Sequence, residues 1–133
     1  VRALYARRLV LDAGALRDAE RHPRGRVWAM CEAEVDEGRR PLLPVTVLAQ
    51  MWRGGAGQAG LARVVKTCEL VTMDDTMARR VGALLGLSGT ADVVDAMVVV
   101  VAMEAGAAVV TSDPGDLGKL AEAVGAPVPL IVL

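Results

Sequence analysis

Five aspartates stand where a folded chain could gather them: Asp12, Asp92, Asp95, Asp113 and Asp116. Asp12 ends the aliphatic run Leu9 to Leu11 and is followed at once by small residues, within RRLVLDAGAL. Asp95 interrupts the apolar run VVDAMVVVV, where an unpaired charge is costly. Asp113 follows AAVVTS, again just beyond an apolar run, and Asp116 comes three residues later. Asp92 precedes Asp95 by the same interval, which puts the two on one helix face. Converging carboxylates repel one another unless a hard divalent ion sits among them, and oxygen-only ligation suits Mg2+ or Mn2+. Such a group could perform metal-assisted hydrolysis, in which the ion lowers the pKa of a bound water.

Each acid also has a structural explanation. Asp113 before Pro114 makes a good N-cap with proline at the first helical position, and Asp116 would then lie in the first turn, where the helix dipole favours anions. Asp92 can be read as a cap in the same way. Asp12 and Asp95 are harder to explain so, and together with the later acids Asp12 reads as a metal ligand rather than a cap. Catalysis by an imidazole pair is excluded, because His22 is the only histidine and, before Pro23, reads as structural. Cys31 and Cys68 lack metal-ligand spacing and read as buried thiols of a reduced, cytoplasmic protein.

The elements that must position these acids alternate short apolar runs with longer amphipathic ones, the α/β pattern. Leu9 to Leu11 carries no polar alternation and suits a strand covered on both faces. Asp12 then stands at its carboxyl end, the edge where open α/β sheets bind ligands. Further strands are expected at Leu42 to Val45, with Pro44 demoting it, at Glu69 to Thr72, at Ala108 to Thr111 and in PVPLIVL. Helices are expected over Gly14 to Glu20, Arg24 to Glu37, from an N-cap at Thr46 through VTVLAQMWRGG, over Gln58 to Lys66, Asp74 to Leu85 closed by Gly86, Ala91 to Ala105, and from Asp113 to about Val124.

Composition sets the bounds. The 133 residues read as a single domain, 1–133, able to bury roughly two thirds of its unfolded surface. Phe is absent and aromatics make up 2%, so stacking bases on aromatic side chains is not available as a binding platform. Through Lys66 the charge is +5 and from Thr67 onward −6. A basic half could meet an anionic backbone while an acidic half collects cations, although solvated helix faces would give the same totals. The longest apolar run, Ala96 to Met103, falls far short of the ~20 residues of a membrane span, so a soluble protein is expected.

The ordered strings LVLDAGAL, PVTVLAQMWRGG, DVVDAMVVVVAMEAGAAVVTSD and DPGDL resemble the PIN-domain ribonucleases, in particular the VapC-type toxins of bacterial toxin–antitoxin pairs, over nearly the whole chain. The resemblance implies a PIN-like three-layer α/β/α sandwich with a mostly parallel central sheet of four to five strands, and Mg2+- or Mn2+-dependent hydrolysis of RNA. It places Asp12 at the acid after the first strand, Asp95 at the acid of the later helix, and Asp113 and Asp116 at the acids after Thr111 and Ser112. Asp92 is a further candidate ligand. The family's glutamate in the helix after the second strand is replaced by Gln50, whose amide can ligate a hard cation but cannot act as a base. Arg53, read as sharing the face of Gln50, could contact a phosphate; Thr111 and Ser112 are candidates to touch substrate or support the acids. A cognate antitoxin and a homodimer are implied as partners, with Met51, Trp52 and Leu61 as one apolar surface for them.

Two rival readings remain. Gln50 allows a binding module of the same fold without catalysis. A phosphorylatable receiver-like domain also places acids at strand ends, but it expects its phosphoacceptor at the end of the third strand, where VTMDD instead starts a helix.

Overall fold

The structure, a computed structural model, describes residues 7–125 and 127–133. Five short strands form its sheet: β1 (Leu9–Leu11), β2 (Leu42–Pro44), β3 (Glu69–Val71), β4 (Ala108–Thr111) and β5 (Leu130–Val132). Their order is β3-β2-β1-β4-β5, and every pairing is parallel. Seven α-helices among the described residues connect them: α1 (Ala13–Arg21), α2 (Arg26–Asp36), α3 (Val45–Met51), α4 (Ala59–Thr67), α5 (Asp75–Ser88), α6 (Val93–Ala105) and α7 (Pro114–Val124). Helices α1, α2 and α4 pack against one another, as do α5, α6 and α7, while α3 touches both α1 and α6. This is the PIN-like α/β/α arrangement.

Strands β1, β2 and β4 are buried along their whole length, which is why their residues show no polar alternation. The edge strands β3 and β5 are half-buried or exposed. Helix α6 is apolar on all sides because it lies in the core, with every residue from Ala96 to Ala102 buried. No single helix among the described residues is long and apolar enough to cross a membrane.

The strand order explains where ligands can enter. From β1 the chain runs outward to β2 and β3, then returns to the other side of β1 with β4 and β5. The direction reverses between β1 and β4, and in open parallel sheets the crevice beyond the carboxyl ends at such a point is the binding position. Leu11 pairs with Val110, so the next residues stand side by side, Asp12 just beyond β1 and Thr111 as the last residue of β4. A receiver-like sheet has the order 2-1-3-4-5. Here the third strand is at an edge, which removes that reading.

Several local expectations are corrected. Pro44 does not demote β2, which lies between β1 and β3; it is the last residue of the strand, where the chain turns into α3 and a ladder donor is no longer needed. Thr46 is not a cap but lies within the first turn of α3, its hydroxyl 3.1 Å from Met97 Sδ. Helix α3 stops at Met51 instead of running to the glycines, because the buried Gln58 captures the chain that follows. Its Oε1 accepts from the amides of Arg53 and Gly54, and its Nε2 donates to the carbonyl of Met51. Gly86 lies inside α5, which continues to Ser88 and ends at Gly89, whose φ of 69° is the left-handed conformation that closes a helix.

Candidate functional site

Asp12 is fixed from several directions at the mouth between β1 and β4. Its amide donates to the carbonyl of Val110 (3.3 Å), its Oδ1 accepts from the amide of Ala15 (2.9 Å), and the carboxylate is hydrogen-bonded to the Thr111 side chain. It therefore caps α1, the role that the sequence reading set aside for a metal ligand. Only 6% of Asp12 is exposed, and no ion pair reaches it among the described residues. Burial raises its pKa above the usual carboxylate value, against the lowering effects of Thr111, the amides of Ala15 and Gly14, and the charge of Arg17.

The tight join between α1 and β4 depends on Gly14. A Cβ there would come within 2.0 Å of Ser112 Oγ and 2.9 Å of the Ser112 backbone nitrogen. Thr111 is fully buried, and its Oγ1 accepts from the amide of Asp113 at 2.9 Å. One hydroxyl thus ties Asp12 to the loop that carries Asp113. Asp113 occupies the N-cap position of α7 but makes no side-chain cap bond, and Pro114 follows at the first turn. Asp116 lies in that same first turn, exposed, without an ion pair among the described residues.

Asp95 comes in from the first turn of α6. Asp92 caps that helix, its Oδ1 accepting from the amide of Asp95 at 3.0 Å. The carboxyl of Asp95 is pushed up to about 6, first by burial and then by the charges of Asp92, Asp116, Asp12 and Asp113. All five aspartates singled out in the sequence therefore share one electrostatic environment. Asp92, Asp95 and Asp116 line a cleft of about 170 Å3 together with Thr90 and Lys119. Lys119 was missed in the sequence, although its place one turn after Asp116 puts it on the same helix face.

Donor chemistry and charge fit a hard divalent cation: all the groups are oxygen donors, and Asp95 resists ionising among its neighbours. As the side chains stand, no three His, Cys, Asp or Glu residues among those described are close enough to share one ion. The convergence is one of electrostatic field, with Asp92, Asp113 and Asp116 exposed.

The remaining expected residues separate from this group. Gln50 is exposed on α3 and does not line the acid cleft. Arg53 lies beyond the end of α3, so it does not share a helix face with Gln50, and its Nη1 donates to the carbonyl of Trp52 at 2.7 Å. Leu61 belongs to the core, whereas Met51 is half-buried and Trp52 exposed. Cys31 and Cys68 are free, buried thiols, pushed up by burial to about 11 and about 12, so they stay protonated near neutrality. A larger cavity of about 550 Å3 lies at the opposite, amino-terminal ends of β1 and β4, with mostly apolar walls. Its size sets it apart, but none of the five aspartates lines it.

No protein-family model matches the sequence, and no curated protein matches it either. Among solved structures the chain is similar to VapBC2 from Rickettsia felis bound to a DNA fragment from its promoter, with a TM-score of 0.69 and 14% identity over 94% of this chain and 98% of that one. It is similar to FitAB bound to an IR36 DNA fragment, with a TM-score of 0.61 and 15% identity over 93% and 94% of the two chains. PAE2754 from Pyrobaculum aerophilum gives a TM-score of 0.59 and 18% identity over 91% and 90%. At these identities the likeness to the three establishes a shared fold. The resemblance carried by the sequence motifs holds at that level.

Proposed function

We propose that the protein is a divalent-metal-dependent ribonuclease, the toxin component of a toxin–antitoxin pair. The observation that carries this reading is the placement of Asp12, Asp92, Asp95, Asp113 and Asp116 around the point where the sheet reverses direction, with the Asp95 carboxyl pushed up to about 6 by burial and by the other four. A phosphodiester is the substrate that an acid-bound Mg2+ or Mn2+ suits. When bound, the ion would offset the carboxylate charge, polarise a phosphoryl oxygen and acidify a water.

The chain's own residues supply the rest. Asp12, Asp95, and Asp113 or Asp116 are the proposed ligands, with Asp92 holding the first turn of α6 and adding negative charge. A carboxylate left unligated orients the attacking water and takes up its proton. Thr111 keeps Asp12 aimed into the site through its hydroxyl, and Lys119 places a cation at the cleft wall where a phosphate oxygen or leaving group can be met. Gln50 takes no part as a base. The likeness to VapBC2 and FitAB supports a cognate antitoxin partner, and a homodimer is proposed with it.

The test is cleavage of purified RNA in Mg2+ and in EDTA. Asp12→Asn and Asp95→Asn are expected to lose at least about a hundredfold in rate, the scale of removing one preorganised charge-stabilising group. Variants that cut as fast as the parent would remove the assignment. A second reading, a binding module without turnover, is favoured by the lack of three acids within ligating reach among the described residues. It predicts no cleavage by the parent in Mg2+ or Mn2+, with partner binding retained.

A further inference from the structure

We propose that a cleft along the exposed side of α1, beside the acid cluster, binds the sugar–phosphate backbone of RNA through Arg17 and Arg21. The proposal rests on the nuclease reading and names how its substrate is held. The cleft encloses about 290 Å3, and its walls include Arg17, Arg21, His22, Arg26, Gly14 and Ser112. Arg17 and Arg21 are one turn apart on α1, both exposed and both without an ion pair among the described residues. Two like charges at this spacing repel, so the helix alone gains nothing from them. Arg26 differs, because its Nε is bonded to Asp18 Oδ2 at 3.2 Å. Among the described residues Asp18 is the only acidic side chain lining the cleft, and this pairing leaves the two α1 guanidiniums unneutralised.

The cleft shares its wall with the acid site. Gly14 stands two residues after Asp12, and Ser112 immediately precedes Asp113. Because Gly14 lacks a Cβ, the Ser112 hydroxyl packs directly against α1, and the two sites meet at that junction. A strand with one phosphate at the acids therefore presents its neighbouring phosphates to Arg17 and Arg21. Guanidinium groups match phosphate oxygens as two-pronged donors. No Phe, Tyr or Trp among the described residues lines the cleft, so it holds backbone and leaves base identity unread. An acidic protein segment would meet the arginines equally well but would then run into five carboxylates. A phosphodiester strand whose next phosphate is the group to be cut avoids this conflict.

The experiment measures anisotropy of a short fluorescein-labelled, 2′-O-methylated RNA with the full chain across a range of salt concentrations. R17A/R21A is expected to bind at least about tenfold more weakly, and the slope of log K against log salt is expected to fall by about 1.4, or about 0.7 for each phosphate of a single strand that is no longer neutralised. R17K/R21K keeps the slope while losing part of the affinity. The single variants R17A and R21A each reduce the slope by about half as much, and they decide the matter if the double variant melts early. Unchanged affinity and slope overturn the proposal. So does an oligo-aspartate peptide whose binding is abolished in R17A/R21A while RNA binding persists, since the cleft would then take a protein ligand. Arginine-dependent RNA binding by a parent that cuts no RNA in Mg2+ would remove the nuclease reading and leave the cleft standing. Cleavage with arginine-independent binding would do the reverse.

Discussion

Two carboxylates among the described residues are almost fully buried, Asp12 at 6% exposure and Glu34 at 7%, and their surroundings are opposite. Glu34 lines the large cavity at the amino-terminal end of the strands and meets Arg39 in a two-pronged ion pair, Nε to Oε2 and Nη2 to Oε1, both at 3.0 Å. Asp12, at the carboxyl end, has a hydroxyl, two amides and the more distant charge of Arg17, but no ion pair among the described residues. Beside it, Asp95 feels the charges of all four other aspartates of the site. A buried charge kept for stability is given its counterion by the fold. A buried charge without one, at the position where parallel sheets bind ligands, is left for a cation from outside.

The difference can be broken from the Glu34 side. Arg39→Ala leaves a buried carboxylate unpaired and is expected to lower the melting temperature by several degrees at pH 7, with RNA cleavage per folded molecule unchanged. Thermal melts with active-protein titration check both parts. An equal loss of activity would mean that the two ends of the sheet are not independent.

From the Asp12 side, Gly14→Ala forces the Ser112 backbone away from α1 and is expected to cost about 1–3 kcal/mol, the usual range for overpacking a tight junction. Denaturant unfolding measures it. Activity should fall along with stability, because Ser112 adjoins Asp113.

The smallest effect is the dependence of stability on pH. Asp95 titrates near 6 in the folded chain against 3.8 when unfolded, so the folded state holds the proton more tightly between those values. Its contribution to stability is complete below about 3.8 and is lost as pH rises through about 6. Burial moves Asp12 in the same direction. In metal-free buffer, Asp95→Asn should therefore be more stable than the parent at pH 7 and equal to it at pH 3.5. One pKa unit corresponds to about 1.4 kcal/mol, and partial exposure discounts the gain to about 1 kcal/mol. Chemical denaturation at the two pH values gives the sign.

Much of this site was legible in the sequence because its signals are local. An apolar strand ending at an acid, an acid interrupting a core helix, and a Ser–Asp–Pro junction each mark a strand end or a helix start, and the structure places the other four aspartates within the field of Asp95. The strand order was not legible, since it depends on which edges pair across the sheet. The end of α3 was missed for a similar reason: Gln58, a residue with no unusual sequence context, holds the chain at Met51 to Gly54 and takes Arg53 off the helix. The cleft beside α1 was hidden too, although Arg17 and Arg21 sit one turn apart, because its other wall comes from Ser112, far along the chain.

The most direct measurement of the central claim is calorimetric titration of Mn2+ into the metal-free chain at pH 7. The account predicts saturable binding that is abolished in both Asp12→Asn and Asp95→Asn and kept in Arg39→Ala. No heat of binding in the parent, or binding that survives both aspartate variants, would contradict it.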